Sequence, residues 1–459
     1  MIAFNELYQR RSKLTLFGTA GKAIPRPNAL AKSLKEGSLL LPKPYIDHYA
    51  TPLENHLDHL LQSASAKRLE AYALEALTAA VYQHTQGFGP AVPLTRFLAV
   101  ISNLFRSFLS DEKRAKIKLP LLESLPPLAM FQHDGGRGPF ILTVDWLKEL
   151  IGASVAVVSL PATCAQHPVF WGSLAHEVGG HAVSCADKGL LNELARHMPR
   201  AFAGMPTPSG VSRRQFDRLW SYWTDEATAD VYGILNVGPA FIFSHAVVFA
   251  AIPPHDKNAG PKLRMESRFD PGDPSKELDP HPTDILRLHL AAGVIGALSR
   301  LSTTTRINYI NLIESLSRTL ATGKWITIDG KIYGERDHPQ EMNFKLPLSE
   351  MQQAARQVGA FIATTKLSAL GGHSIQDIET WDDSDEAHSM RVKSALLNGQ
   401  TIADLGDDAH LLAGSFMALL EKPDLYGSVT AALNDGLDLS FQRDPIWGKP
   451  RIRPVVVRY

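Results

Sequence analysis

Cysteine is almost absent from this chain, which has only Cys164 and Cys185 among its 459 residues. Two cysteines can form at most one bridge, so the sequence excludes a fold held together by a disulfide framework. We expect both thiols to be reduced, with Cys185 serving as a small apolar residue on a helix.

The chain also lacks an excess of charge of either sign, because 47 Lys and Arg residues balance 47 Asp and Glu residues. This balance does not favour nucleic acid, an anionic membrane or a polyanionic substrate as a partner. No apolar run approaches the roughly 20 residues that cross a bilayer, and the start lacks the basic-then-apolar layout of a signal peptide. We therefore predict a cytoplasmic protein, although secretion without a cleaved signal would leave no trace in the sequence.

Hydrophobic residues make up 44% of the chain and charged residues 20%, which is typical of a folded protein. Apolar residues that recur at helical intervals predict a mostly α-helical protein with a small β component, in the α+β class. The clearest helical stretches are PLTRFLAVISNLFRSFL, PVFWGSLAHEVGGHAVSCAD, SYWTDEATADVYGILN and PTDILRLHLAAGVIGALSRL.

Short β-rich runs predict the strands. GPFILTV and SVAVVSLP are flanked by glycine and proline, and the second could be either an edge strand that pairs with an extended substrate or an interior strand. WITIDGKIYG predicts a β-hairpin near 325–333 that turns at Asp329-Gly330, because Asp-Gly favours tight turns. The VVV segment near the C-terminus predicts a final strand.

Residues 174–184, LAHEVGGHAVS, contain a metal-ligand pattern with one residue more than usual. A zinc-peptidase helix usually has H-E-x-x-H, whereas His181 lies five positions after His176. Residues five apart on an α-helix point about 140° away from each other, and a π-bulge would realign them. We predict such a bulge at Val178-Gly179-Gly180, since two mid-helix glycines suit a distorted turn or a close approach of other backbone.

A second motif, Asp225-Glu226-Ala-Thr-Ala-Asp230, lies in another helical stretch. Zinc peptidases with a glutamate ligand have E-x-x-x-D on a separate helix. The Glu binds zinc, and the Asp orients a ligand histidine through its other nitrogen. Two histidines and one glutamate leave the fourth zinc position open, as catalysis requires. We predict one Zn²⁺ per chain, bound by His176, His181 and Glu226. Asp230 is expected to orient one of the ligand histidines through its other ring nitrogen.

These two motifs resemble those of dipeptidyl-peptidase III, a zinc peptidase family of the glutamate-zincin class with H-E-x-x-G-H and, later, E-E-x-R-A-E. HEVGGH at 176–181 matches the first motif, and DEATAD at 225–230 is similar to the second, with Thr228 where the family has Arg. The likeness covers only the surroundings of the two motifs, and family members are considerably longer. The resemblance implies that the two motif histidines and the motif glutamate bind zinc and that Glu177 is the general base. The family's substrate-amine-binding residues have no traceable counterpart here, so the resemblance does not extend to strict dipeptide release.

Together these residues predict a zinc metallopeptidase acting on a peptide or protein substrate. Glu177 would take a proton from a zinc-bound water that attacks the peptide carbonyl, and would pass it to the leaving amine. The alternative is a catalytically inactive zincin-fold binding or scaffold protein, whose signature would be loss of Glu177. A di-iron oxidase needs E-x-x-H pairs on two helices, but Glu177 to His181 is one residue too long for such a pair and no matching second pair is apparent. The sequence does not show whether cleavage would be of the exo or the endo type. It also does not show the oligomeric state.

The segment Asp279-Pro-His281-Pro-Thr283-Asp284-Ile-Leu-Arg287 supplies two further candidates. We predict that His281 is catalytic and donates a hydrogen bond to the oxyanion of a tetrahedral intermediate. Arg287 is a candidate for binding substrate. The alternative is a plain loop in which Thr283 is the helix N-cap and Arg287 joins a surface ion pair. We interpret four other histidines on apolar stretches or glycine bends as structural, namely His245, His289, His373 and His410.

Changes in composition near residues 130 and 300 divide the chain into three predicted regions. Residues 1–130 are expected to form an N-terminal arm followed by helices. Residues 131–300 are expected to form a zincin-like peptidase core with the strands and both motif helices. Residues 301–459 are expected to form a mostly helical lobe with the hairpin near 325–333, so that helical lobes lie on either side of an active-site cleft.

Overall fold

The computed structural model describes residues 41–62, 77–81, 83–84, 91–114, 117, 125–132, 139–251, 262–270, 272–333 and 339–448. Most of these residues are helical and two three-stranded sheets contain the strands, so the predicted α+β class with a small β component is confirmed. The predicted strand near the C-terminus lies outside the described residues. The zincin-like core and its cleft remain predictions, as does the division into three regions.

The helices carry most of the buried surface. In chain order the α-helices are α1 (Thr51–Gln62), α2 (Ala91–Leu109), α3 (Val144–Ile151), α4 (Leu190–His197), α5 (Arg213–Tyr222), α6 (Thr224–Val237), α7 (Ala240–Ala251), α8 (Asp284–Ala297), α9 (Thr303–Leu320), α10 (Leu348–Thr364), α11 (Asp383–Leu397), α12 (Asp408–Glu421) and α13 (Tyr426–Arg443). A π-helix, His176–Val183, lies between α3 and α4. The strands are β1 (Leu128–Gln132), β2 (Phe140–Leu142), β3 (Val157–Pro161), β4 (Glu266–Arg268), β5 (Trp325–Ile332) and β6 (Gln340–Pro347).

The first sheet has the strand order β1-β3-β2, with β1 parallel and β2 antiparallel to β3. Both predicted strands form, GPFILTV as β2 and SVAVVSLP as β3. Strand β3 is interior, which decides between the two positions left open for it, and the half-buried edge strand β2 contacts the π-helix. Strand β1 was not predicted, because a fully buried strand lacks the alternation that distinguishes a strand from a buried helix.

The predicted hairpin turn at Asp329-Gly330 is wrong. Both residues lie within β5, where Asp329 pairs with Asn343 and Gly330 with Met342 of the antiparallel strand β6. The glycine has a different purpose, because a Cβ at Gly330 would lie only 2.8 Å from the Cα of Leu278. It allows the backbone of the 277–283 segment to approach the sheet.

Helix α2 passes through the interior. By length and composition alone Val92–Leu109 is apolar enough to cross a membrane, but most of it is buried inside the protein, as core helices commonly are. Its two arginines form ion pairs, Arg96 with Asp438 on α13 and Arg106 with Asp444 directly after α13. The cytoplasmic location remains a prediction.

Aromatic packing holds the segment that leads into the π-helix. The ring of Trp171 lies 5.5 Å from that of Phe97 on α2, and Phe97 lies 5.2 Å from Phe131 on β1. These rings belong to one contiguous cluster of buried apolar side chains. The start of the π-helix is thus fixed against both α2 and the first sheet.

Helix α12 begins with a buried acid that should make stability depend on pH. Asp408 is 2% exposed, and its pKa is raised to about 7 by burial and by the charges of Asp407 and Asp444, despite a hydrogen bond with Ser440. In the unfolded chain this carboxyl releases its proton near pH 4. Between about pH 4 and 7 the unfolded state therefore binds fewer protons than the folded state, and stability falls as the pH rises.

Replacing Asp408 by asparagine removes this titration. The quantity to compare is the stability difference, defined as the free energy of unfolding of Asp408→Asn minus that of the wild type. We expect this stability difference to be roughly 2–3 kcal/mol greater at pH 8 than at pH 5. Urea unfolding followed by circular dichroism, with a chelator present, measures both values. Equal differences at the two pH values would show that Asp408 is already ionised in the folded protein at pH 5.

Candidate metal centre

The first motif forms a π-helix over His176–Val183, so the predicted widening between the two histidines is confirmed. The wider turn brings both imidazoles to one side, with ring centroids 5.1 Å apart. Ligand nitrogens of His176 and His181 and a carboxylate oxygen of Glu226 all lie within 4.8 Å of one another. The five-residue spacing therefore places both histidines in one site.

The paired glycines allow α6 to pack directly against the π-helix. A Cβ at Gly180 would lie 2.2 Å from the Cβ and 2.3 Å from the Cα of Ala229, while one at Gly179 would lie 3.3 Å from the Cβ of Tyr232. Both suggested reasons for the glycines, a distorted turn and a close backbone approach, are therefore met at this crossing. The approach carries Glu226 to the histidines.

Glu226 lies at the centre of the site. Its Oε2 is 3.0 Å from His176 Nε2 and 3.6 Å from His181 Nε2. Burial alone would raise the pKa of Glu226, but hydrogen bonds with these histidines and the nearby charge of His281 hold it well below its usual range. The three predicted ligands thus form a largely buried group that could hold a metal ion.

Asp230 lies one helical turn after Glu226 and contacts Nδ1, the ring nitrogen of His176 that does not face Glu226. Its Oδ1 accepts a hydrogen bond from His176 Nδ1 at 2.9 Å, and Arg287 donates to both carboxylate oxygens at 2.6 and 2.7 Å. Burial would raise the pKa of Asp230, but the charge and hydrogen bonds of Arg287 hold it well below normal. The ionised carboxylate fixes the hydrogen of His176 on Nδ1 and directs Nε2 towards Glu226.

Arg287 does not lie where a substrate-binding residue would. Its side chain is 3% exposed, its guanidinium is bound to Asp230, and it lies over the ring of Phe249. The surface ion pair considered as the alternative is not formed either, since this pair is buried. The sequence could not distinguish these cases because Asp230 and Arg287 are 57 residues apart.

The sequence alone assigned no role to Asp225 or Asp279, two residues of the site, and indicated that His245 is structural. Asp225 Oδ1 lies 3.3 Å from His181 Nδ1, and its position directly before Glu226 was the available signal. Asp279 binds His281, and its place two residues before that histidine was a similar signal. His245 is buried behind the site with Nε2 2.8 Å from Arg287 Nη2, which fits a structural role.

The pKa of His181 reflects these neighbours. Burial would lower it, but the hydrogen bonds with Asp225 and Glu226 and the charges of Glu226 and Glu177 hold it well above its usual range. A second group, His176, Asp230 and His245, also has metal-ligand spacing. The Arg287 guanidinium contacts Asp230 and His245, so a cation already occupies that position.

The structure also brings His281 to the site. Its Nε2 lies 3.2 Å from Glu226 Oε2, and its Nδ1 lies 2.8 Å from Asp279 Oδ1. The same Asp279 oxygen accepts the backbone N–H of His281, and Asp279 also pairs with Arg264. Burial would raise the pKa of Asp279, but His281 and Arg264 lower it to about 2.

Glu177 is half-buried on the π-helix directly after His176. Within the described part of the chain no hydrogen bond or ion pair involves its carboxylate. The charge of Glu177 is one of the causes that raise the pKa of His181.

Comparison with known proteins gives no match: no family model matches the chain, and no curated protein or solved structure is found to be similar to it. The resemblance to dipeptidyl-peptidase III therefore remains a hypothesis that depends on the two motifs.

Proposed function

We propose that this protein is a zinc-dependent metallopeptidase of the glutamate-zincin class, distantly similar to dipeptidyl-peptidase III. The observation that carries the proposal is the convergence of His176, His181 and Glu226 beside a carboxylate, Glu177, that pairs with no described residue. Two histidines and one glutamate form the usual ligand set of a catalytic zinc site, in which the fourth position is free for water or substrate.

The spacing of the ligand atoms fits zinc. Ligand atoms at 2.0–2.2 Å from a tetrahedral ion lie about 3.4 Å apart. The Glu226 Oε2 atom lies 3.0 and 3.6 Å from the two histidine nitrogens, on either side of this value. The hydrogen bond of His176 to Asp230 is also the arrangement that metal-bound histidines generally have.

Bound zinc would polarise a peptide carbonyl and make a water molecule acidic enough to lose a proton near neutral pH. Glu177, directly after His176 on the π-helix, would accept that proton and later deliver it to the leaving amine. Asp230 and Arg287 hold His176 in the orientation that a ligand needs, and Asp225 does the same for His181. His281, next to Glu226, is proposed to hydrogen-bond the substrate oxyanion.

Metal content tests this assignment. We expect one zinc per chain in purified protein, and an Asp230→Asn variant that binds zinc about 10–100-fold more weakly because His176 loses its orienting carboxylate. Elemental analysis and a competition titration with a chromogenic chelator measure both quantities. His388→Ala, a change at a histidine hydrogen-bonded to a backbone carbonyl on α11, is the matched control and should bind zinc normally. Iron in place of zinc, or equal affinity in wild type and Asp230→Asn, would contradict the proposal.

A further inference from the structure

Three imidazoles, not two, turn a nitrogen towards the same oxygen of Glu226. The Nε2 atoms of His176, His181 and His281 lie 3.0, 3.6 and 3.2 Å from Oε2. Each of these rings has a carboxylate at its other nitrogen, Nδ1. The carboxylate partners are Asp230 at 2.9 Å, Asp225 at 3.3 Å and Asp279 at 2.8 Å, in the same order.

A carboxylate at one ring nitrogen is the usual partner of a histidine whose other nitrogen binds a metal. Asp279 is well fixed for this purpose, because it also accepts the backbone N–H of His281 and pairs with Arg264. The Nδ1 atom of His281 contacts Asp279, and Nε2, the nitrogen that would bind a metal, faces Glu226. His281 therefore has the carboxylate partner and the direction of a metal ligand.

His281 differs from the other two histidines in its exposure and in its position outside the helices and strands. Its side chain is 40% exposed, against 5% for His176 and 14% for His181. It precedes α8 and lies on no helix or strand, whereas the other two lie on the π-helix. It is also not among the three residues whose ligand atoms all lie within 4.8 Å of one another, so its side chain must move to complete the set.

We propose that His281 is a fourth, displaceable ligand that closes the metal site in the resting protein. Displacement would exchange the bond from Nε2 to the metal for one from a substrate carbonyl or water oxygen, while the contact of Nδ1 with Asp279 would be kept. The displaced imidazole would remain beside the substrate, where it is proposed to donate a hydrogen bond to the oxyanion. This inference rests on the proposed function only because it requires zinc at the site. It adds that the substrate must compete with His281 for the fourth position on the metal.

X-ray absorption at the zinc edge counts the imidazole ligands. We expect three imidazoles in the zinc-loaded wild type and two in His281→Ala, which should also bind zinc about 10-fold or more weakly. A peptide hydroxamate, which takes metal coordination positions, should lower the wild-type count from three to two. Asp279→Asn keeps the imidazole but loses its carboxylate, and should show an intermediate loss of affinity. His388→Ala again serves as the control, and thermal melts monitored by circular dichroism establish that each variant is folded.

Two imidazoles in the wild type, with zinc affinity unchanged in folded His281→Ala, would overturn the inference and leave His281 only a hydrogen-bonding role. Failure of the proposed function gives a different result. Three imidazoles in a wild type that cleaves no peptide would uphold His281 as a ligand and reject the peptidase. A wild type that binds no zinc would overturn both.

Discussion

Replacing Glu177 by glutamine is expected to lower the rate of peptide hydrolysis by about 10²-fold or more while leaving the fold and the bound zinc intact. Glu177 lies next to the ligands but pairs with no described residue, and the ligand group is complete without it. Glutamine keeps the size and hydrogen bonding of the side chain and removes only its basicity. Turnover on a mixed peptide library, read by mass spectrometry and divided by zinc content, measures the effect.

Glu341→Gln is the matched control for this experiment. Glu341 lies on β6 with its side chain 70% exposed and pairs with Lys331, so its neutralisation should leave turnover unchanged. If Glu177→Gln were as active as the wild type, Glu177 would not be the base. If both were inert while holding zinc, a non-catalytic binding protein would explain the site better.

Replacing Gly180 by alanine is expected to destabilise the protein by about 3 kcal/mol, at the upper end of the range for overpacking a core. The added Cβ would lie 2.2–2.3 Å from the Cα and Cβ of Ala229, and a backbone atom cannot rotate away. Helix α6 must therefore shift, and Glu226 and Asp230 shift with it. We expect zinc affinity to fall by about tenfold or more, which urea unfolding and chelator competition measure separately.

Gly179→Ala provides the control one residue away. Its Cβ would meet the Cβ of Tyr232 at 3.3 Å, a contact that a shift of a few tenths of an ångström relieves. The higher helix propensity of alanine, roughly 1 kcal/mol, offsets much of that strain. Equal effects of the two substitutions on stability and zinc affinity would show that the Gly180–Ala229 crossing does not position the site.

The sequence predicted the centre of the site because its information there is local. The five-residue spacing of His176 and His181 allowed only a widened turn, and a π-helix is found. The E-x-x-x-D spacing likewise placed Asp230 one turn after Glu226, and the two motifs together contain all three members of a group that could hold a metal ion.

The parts that could not be predicted depend on contacts between distant segments. Nothing near Arg287 in the sequence indicates that it binds Asp230, so its burial was not foreseen. Gly330 was misinterpreted as part of a turn because the Leu278 backbone that requires a glycine comes from more than fifty residues earlier. The sequence named His281 as a candidate, and only the folded chain shows that Asp279 and Glu226 contact its two nitrogens.

The most direct test of the central claim is a titration of metal-free protein with zinc while hydrolysis of a mixed peptide library is followed. If His176, His181 and Glu226 hold a single catalytic zinc, activity should be absent without metal, rise in proportion to added zinc and level off at one equivalent per chain. Protein that binds one zinc per chain and cleaves no peptide at any ratio, or that cleaves peptides equally well without metal, would contradict the account.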